Sequence, residues 1–473
     1  MKNNFEVVVG IEVHVVLNSK TKMFSPSKSS HNDLLNTNIS PIDLGHPGTM
    51  PSPNKKCIEK ALVLANALDM KIEKNVSFDR KNYFYQDLPK GFQITQQFFP
   101  IGKDGKIYIG ENKFIEIERI HLEEDTAKQI KEDGKILLDY NRAGMPLIEI
   151  VTKPCIRSAT EAGLFLKQLR RILTFNKISD AKMEEGSMRV DVNISVNPIG
   201  SDKFGTRVEI KNINSITNVE KAIEYEYEYQ VSQILQNEEV LLATKRFDDK
   251  ILKTEFMRLK TTNVDYHYMV EPNVFFRPIS DQYIKKIIKE NFVDLNRIEK
   301  EFRDNQVSQE FINLLLDDYE MFEKYQIINN EIKNPNEVIK WLCIEFVGVL
   351  KKENLKLSDA SEFQINQLLK TLIYLKKETI NSKQAKEIIR ILIESNKDID
   401  QIIEENNFKQ ITDVNILKPI LEKYISLNQK MLDQYNERPE RVEKFFMGMV
   451  MKETNGQANP NVVNEIFKSL IKK

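Results

Sequence analysis

The run "MRVDVNISV" at 188–196, followed by "TRVEIKN" at 206–212, decides the fold class of the front half of the chain. Side chains alternate across a strand, so Arg189, Asp191, Asn193 and Ser195 share one face while Val190, Val192, Ile194 and Val196 share the other. Beyond the turn-rich "NPIGSDKFG" (197–205), Arg207, Glu209 and Lys211 stand opposite Val208 and Ile210. The two runs are expected to form an antiparallel hairpin with one apolar and one polar face. Water would satisfy the polar face. Its mixture of acids, amide and cations would equally suit a phosphorylated or zwitterionic substrate.

Working outward, three earlier segments share this grammar and put polar groups where a strand would bury apolar ones. In "VVVGIEVHVVL" (7–17), Glu12 and His14 lie two apart and so point to one face with Val8 and Val16. In "IERIHLEED" (117–125), Glu124 shares its face with Ile120 and Leu122, which predicts that this carboxylate turns inward while Glu123 and Asp125 face the other way. In "MPLIEIVTKP" (145–154), Glu149 sits in a run apolar on both faces, as in a strand covered on both sides. A buried ionised carboxylate costs several kcal/mol unless matched. Arg142 could match one Glu; three Glu and a His are better explained by a divalent cation. Oxygen ligands with one imidazole suit magnesium or manganese. The segment "FDRKNYFYQDLPKGFQITQ" (78–96) adds Lys81, Lys90 and the three consecutive aromatics Tyr83, Phe84 and Tyr85 near a Pro-Gly turn. The phosphate signatures GxxxxGK[ST] and GxGxxG do not occur in the sequence, so nucleotide chemistry here must use carboxylates and metal.

Of 16 glycines, 13 lie at or before Gly205, and "GKDGK" (102–106) reads as a further turn. After about residue 290 the period becomes helical: Ile365, Leu368, Leu369 and Leu372 recur at helix spacing, with Ser382 and Thr412 placed as N-caps. The polar stretch "IEENNFKQITDVN" (403–415) suggests a second division. The expected fold is α+β: a strand-rich domain over 1–292, a helical domain over 293–405 and a helical tail over 406–473. A length of 473 residues fits about three domains.

With 69 Lys plus Arg against 70 Asp plus Glu, the net charge of -1 excludes a wholly cationic surface, so nucleic-acid binding must be local. No apolar run is long enough to span a bilayer, and the amino end is broken by Glu6, Glu12 and His14. Three cysteines far apart (Cys57, Cys155, Cys343) give neither a disulfide set nor metal-ligand spacing and fit a reducing cytoplasm.

Taken in order, "GIEVHVVL" (10–17), "KMFSPS" (22–27), "DRKNYFYQDLPKGFQI" (79–94), "RIHLEEDTAK" (119–128), "DYNRAGMPLIEIV" (139–151), "KMEEGSMRVDVNIS" (182–195), "GTRVEIKNINS" (205–215) and "GQANP" (456–460) resemble the B subunits of aspartyl/glutamyl-tRNA amidotransferases. The resemblance runs nearly end to end. It implies a cradle-shaped domain with an ATP-dependent, kinase-like site, a helical domain and a tail that touches tRNA. It also implies that Glu12, His14, Glu124 and Glu149 surround Mg2+; Lys81, Lys90, Arg189, Asp191, Asn193, Glu209 and Lys211, from the segments read above, are expected to face ATP or substrate. The implied reaction activates the side-chain carboxylate of misacylated Glu-tRNA(Gln) or Asp-tRNA(Asn) with ATP, and ammonia then amidates it. The implied partners are an amidase (glutaminase) subunit, a small third subunit and the tRNA; no membrane or DNA partner is expected. Some family members hold zinc with paired Cys in the region matching 25–45, which here contains none, so no zinc is expected. The family's DYRYFPEPD is altered in "DYHYMVEPN" (265–273), at His267, Met269 and Asn273 among others, while Asp265, Tyr266 and Glu271 persist. The competing reading is a non-catalytic tRNA-binding scaffold, which would have no use for buried carboxylates.

Overall fold

The computed structural model describes residues 4–30, 33–110, 112–201, 203–260, 266–408 and 411–471; Asp265, Lys472 and Lys473 lie outside them. The chain forms two compact units, Met1–Ile298 and Glu299–Lys473.

The first unit is built on a nine-stranded sheet. Its strands are β1 (Phe5–Val16), β2 (Lys71–Ile72), β3 (Gly102–Tyr108), β4 (Phe114–Glu124), β5 (Pro146–Thr152), β6 (Met188–Pro198), β7 (Val208–Ile213), β8 (Ala243–Asp248) and β9 (Lys253–Leu259). Their spatial order is β9-β8-β7-β6-β1-β5-β4-β3-β2. The pairs are antiparallel except β7 and β8, which run parallel.

Alternation assigns the two faces. Val7, Val9, Ile11, Val13 and Val15 of β1 join one core with Leu62, Phe165, Leu166, Leu169, Ala222 and Ile223. These last six come from helices α1 (Lys55–Ala67), α2 (Ala159–Phe175) and α3 (Ile216–Leu235). Each such side chain withdrawn from water contributes about 1.5–3 kcal/mol. Asn54, Ser158 and Ser215 cap the three helices, accepting from otherwise unpaired backbone N–H groups. The hairpin expected at 188–212 is present, with Asn193 opposite Glu209 and Ile194 opposite Val208.

The other face of β1 carries Glu12 and His14. A three-stranded sheet (Asp79–Asn82, Phe92–Thr95, His267–Val270) is tied to the end of β4, where Gln93 donates to the Glu124 carbonyl at 2.8 Å and Leu122 N donates to Gln96 at 2.9 Å. Glu271 anchors this small sheet through a two-point pair with Arg80 at 2.6 and 3.2 Å.

Three local expectations need correction. "GKDGK" is not a turn but part of β3: a Cβ on Gly105 would come within 2.7 Å of the Leu68 carbonyl oxygen and 2.5 Å of Met70 Cγ, so the glycine serves a close approach of chain to chain. In the second unit Asn381, not Ser382, caps the helix Ser382–Ser395, and Asp413, not Thr412, caps Val414–Leu427. In both cases the neighbouring Asx side chain takes the role, its oxygen accepting from the first turn of the helix.

The second unit is helical among its described residues. Ile365, Leu368 and Leu372 of the helix Glu362–Lys376 are buried as the spacing predicts. Leu417, Leu421, Val442, Phe446, Val450, Val463, Ile466 and Phe467 make a separate cluster among the last helices. Asn459 N-caps the final helix, Pro460–Ile471, accepting from the backbone of Asn461 and Val462, and its amide donates to Glu378 at 3.0 Å.

Candidate active site

Strand register draws the polar groups into rows. Arg189 of β6, His14 of β1, Glu149 of β5 and His121 of β4 are successive cross-strand partners. His14 Nε2 lies 3.3 Å from Glu149 Oε2 and 3.6 Å from Glu123 Oε1, while His121 Nε2 lies 3.1 Å from the same Glu149 oxygen. In the next row Glu12 pairs with Asp191, and Asn193 then brings in Glu209. The result is two groups, His14 with Glu123 and Glu149, and Glu12 with Asp191 and Glu209, each with its ligand atoms within 4.8 Å of one another.

Cations hold the second group. Lys211 Nζ is 3.0 Å from Asp191 and 3.4 Å from Glu209, and Lys260 is 3.3 Å from Glu209. Asn193 donates to Glu12 at 3.0 Å and Thr244 to Glu209 at 2.9 Å.

Burial and crowding shift the titrations. Burial raises the Glu12 carboxyl above its usual range, and the Glu149 and Asp191 charges push it further. For His121, burial alone would favour the neutral ring, yet Glu149 and Glu123 outweigh it and raise the group to about 9. His14 is raised on the same balance. Burial works against ionised Glu149, but the two imidazoles hold it well below the carboxylate norm. Burial opposes the charges of Glu209 and Lys211 too, and in each the attraction of neighbouring opposite charges prevails. Without a metal, burial and the acidic excess therefore favour the protonated forms of His121, His14 and Glu12.

Among the described residues, His121 Nδ1, Arg189 Nε and Asn193 Oδ1 are buried without a partner on this face, which marks it as built to receive something polar. Beside Glu12 opens a cleft of about 340 Å³ whose lining includes Gly10, Arg119, Asn193, Ser195, Phe204 and Arg207. The donor set of imidazole, carboxylates and orphaned polar atoms fits a hard divalent cation with a polyanionic ligand.

The structure thus brings Glu12, His14, Glu149, Asp191, Asn193, Glu209 and Lys211 together. Glu124 departs from the expected grouping. One residue beyond Glu123, it turns to the other side of β4, where Lys90 Nζ pairs with its carboxylate and Ile94 N donates to it at 2.9 Å. Glu123 occupies the place expected for Glu124. Arg142 does not match Glu149: it pairs with Asp125, whose other oxygen is 3.2 Å from Arg189. Lys81 lies on the small sheet, its Nζ 4.5 Å from the centre of the Tyr266 ring. His121 is an addition to the residues expected from sequence. A signal for it exists, since His121-x-Glu123 has the two-residue spacing of Glu12-x-His14.

Comparison with known proteins identifies the family. Residues 7–285 match the family model described as the GatB/GatE catalytic domain, and residues 321–471 match the GatB domain. A relative from Malacoplasma penetrans is 76% identical over 474 residues, covering 100% of this chain and 98% of its own length. Relatives from Ureaplasma urealyticum (47% identical; 99% and 100% covered) and Mycoplasma genitalium (46%; 99% and 98%) are also similar along their whole length. All three bear the name of the B subunit of aspartyl/glutamyl-tRNA(Asn/Gln) amidotransferase. With both family models and full-length relatives in agreement, the chain belongs to the family of aspartyl/glutamyl-tRNA(Asn/Gln) amidotransferase B subunits.

Proposed function

We propose that the polar face of the sheet performs the ATP-dependent half of transamidation. The side-chain carboxylate of Glu or Asp esterified to tRNA attacks the γ-phosphorus of ATP, giving an acyl phosphate and ADP. Ammonia then attacks the acyl carbon, phosphate leaves, and Gln-tRNA(Gln) or Asn-tRNA(Asn) results. The observation that carries this reading is the pair of adjoining acidic groups on one face, with cations and a cleft beside them.

His14, Glu123 and Glu149 would hold one Mg2+, and Glu12, Asp191 and Glu209 offer a second place. A cation held there would supply charge neutralisation for phosphate oxygens. Arg119, Arg189 and Lys211 add positive charge at the rim, which suits the equatorial oxygens of a transferring phosphoryl group. The cleft beside Glu12 takes the nucleotide, with Asn193 presenting an acceptor and Arg207 a cation. Glu124, paired with Lys90 at the end of β4 beside Glu123, is assigned together with Lys90 and with Lys81 on the small sheet to contact with the substrate. No zinc is required.

Ammonia comes from an amidase subunit, with a small third subunit completing the complex. Burial pushes the Cys57 and Cys343 thiols up to about 12 and raises Cys155, so none offers a thiolate for glutamine hydrolysis near neutral pH. We divide the chain functionally into 1–292, 293–405 and 406–473, with the tail on the tRNA. Among the described residues no helix is long and apolar enough to cross a membrane, in keeping with work in the cytoplasm beside aminoacyl-tRNA. A scaffold gains nothing from the carboxylate groups, which cost stability unless they hold a ligand.

The test is tRNA-dependent ATP cleavage by the reconstituted complex, with ammonium as donor. Cleavage that requires misacylated tRNA and is lost on replacing Glu149 or Glu123 supports the reading. Amidation unaffected by both changes defeats it.

A further inference from the structure

Away from the acidic groups, a second buried polar cluster centres on Asp43. Its carboxylate accepts from Ser25 Oγ at 2.7 Å, Ser27 Oγ at 2.8 Å, Ser40 Oγ at 3.0 Å and Ser40 N at 2.8 Å. Lys22, wholly buried, has its Nζ 3.5 Å from Asp43 Oδ2 and donates to the Tyr140 carbonyl at 3.2 Å. The cluster joins the segment directly after β1 to a tight turn, closed by Leu44 N to Ser40 O at 3.3 Å, Gly45 N to Ile42 O at 3.1 Å and His46 N to Pro41 O at 3.0 Å. The Lys22 ammonium supplies the cation this carboxylate needs, so nothing in the cluster calls for a metal.

Two glycines show what the cluster presses against. Gly45 has φ +65°, and a Cβ there would come within 2.7 Å of Lys90 Cγ, so the turn lies directly on the Lys90 stem. Gly144 has φ +81°, and a Cβ there would come within 2.9 Å of Asp43 Oδ1. Gly144 leads into β5 and Glu149, while Lys90 holds Glu124. The cluster is wedged between these two parts of the site.

We propose that Asp43 is a positioning residue: the Lys22–Asp43–serine clasp fixes the turn 40–46 on Lys90 and so holds the Lys90–Glu124 pair where amidation needs it. This rests on the reading of Lys90 and Glu124 given above. Replacing Asp43 by Asn leaves a buried ammonium unmatched and turns one of the two acceptor oxygens into a donor facing the serine hydroxyls, which loosens the turn. Misplacement by about 1 Å suffices for a large loss of rate.

The test compares Asp43→Asn, Lys90→Ala and the double variant in the full complex, measuring kcat and KM for amidation with ammonium as donor. Asp43→Asn should lower kcat about tenfold and leave KM for ATP and tRNA within about twofold, and the double variant should be no worse than Lys90→Ala alone. Losses that multiply in the double variant, or a wild-type kcat for Asp43→Asn, overturn the proposal. Hydrogen exchange at Gly91 and Phe92 separates the two ways of failing: full activity of Lys90→Ala defeats the assignment of Lys90, whereas unchanged exchange in Asp43→Asn defeats the clasp. If Asp43→Asn does not fold, Ser40→Ala, which removes one donor and keeps the charge pair, should show the same pattern with a loss of about two- to threefold.

Discussion

His14 and Glu149 face each other across β1 and β5 with 3.3 Å between Nε2 and Oε2, and His121 reaches that same oxygen at 3.1 Å from the opposite side. One carboxylate therefore serves two imidazoles. Protons on these rings and a cation among the carboxylates are competing ways to balance one charge excess, and several outcomes depend on that competition.

Glu149→Gln preserves shape while removing the charge both rings share. The variant should fold, and tRNA-dependent ATP cleavage should fall by about a hundredfold, since the loss of charge misplaces the phosphoryl group and weakens the metal together. Raising magnesium should recover part of the rate. Wild-type cleavage with an unchanged magnesium requirement would make Glu149 a structural partner of the histidines.

Stability of the metal-free protein should depend on pH. His121 is raised to about 9 from an ordinary 6.5, so the folded state binds its proton more tightly than the unfolded state does. Its contribution is fully present below about 6.5 and is lost as pH rises through about 9. Melting temperature in a chelator should fall across that window, and saturating magnesium should flatten the dependence. A flat profile in the chelator would show that His121 is not charged in the fold.

The isolated chain should not amidate Glu-tRNA(Gln) from glutamine, because its three thiols are unsuited to hydrolysing it. Adding the amidase subunit should restore turnover. Glutamine-driven product from a preparation shown free of partners would refute this division of labour.

Deleting residues from about 406 onward should weaken tRNA binding. Arg438, Arg441 and Lys444 line one exposed surface of this segment, and Lys468 is exposed as well. For every phosphate that the tail neutralises, its removal should reduce the slope of log affinity against log salt by about 1. An unchanged slope would take the tail off the tRNA backbone.

Glu226 is wholly buried against Lys245, with Nζ at 2.9 and 3.1 Å from its two oxygens. Lys245→Met should destabilise the first unit by about 3–5 kcal/mol in urea unfolding, because it strands a carboxylate in the core. Adding Glu226→Leu should restore most of that loss. Glu226 also accepts from Gln230 at 3.1 Å and Thr254 at 2.6 Å, and a single variant as stable as the parent would mean that these two alone satisfy it.

The strands are legible in the sequence because alternation is a local property. The runs 7–17, 145–154 and 188–212 report which residues share a face, and Glu12, His14, Glu149 and Asp191 can be recognised from it. Parity does not report which face meets the helices. Glu124 does share a face with Ile120 and Leu122, but where those two join the apolar core its carboxylate meets Lys90 and the Ile94 amide, while the two acidic groups lie on the face of Glu123 and His121. An inward direction does not by itself place a carboxylate among the acidic groups, because both faces of β4 are covered at this end and each offers polar partners. "GKDGK" misleads for a related reason: glycine marks a tight approach as readily as a turn, and only the chain end after α1 reveals which.

The central position of β1 has a consequence for synthesis. This strand ends at Val16, yet its two neighbours begin only at Pro146 and Met188, so it leaves the ribosome well before either of them. At about 5–20 residues per second the nascent chain carries a valine-rich strand with both edges open for several seconds to tens of seconds before either partner exists. The strand at the centre of the finished sheet is thus, in the newborn chain, an unpaired apolar segment until β5 appears. Slowing translation between codons 17 and 146 should increase its aggregation more than the same delay placed after Pro198.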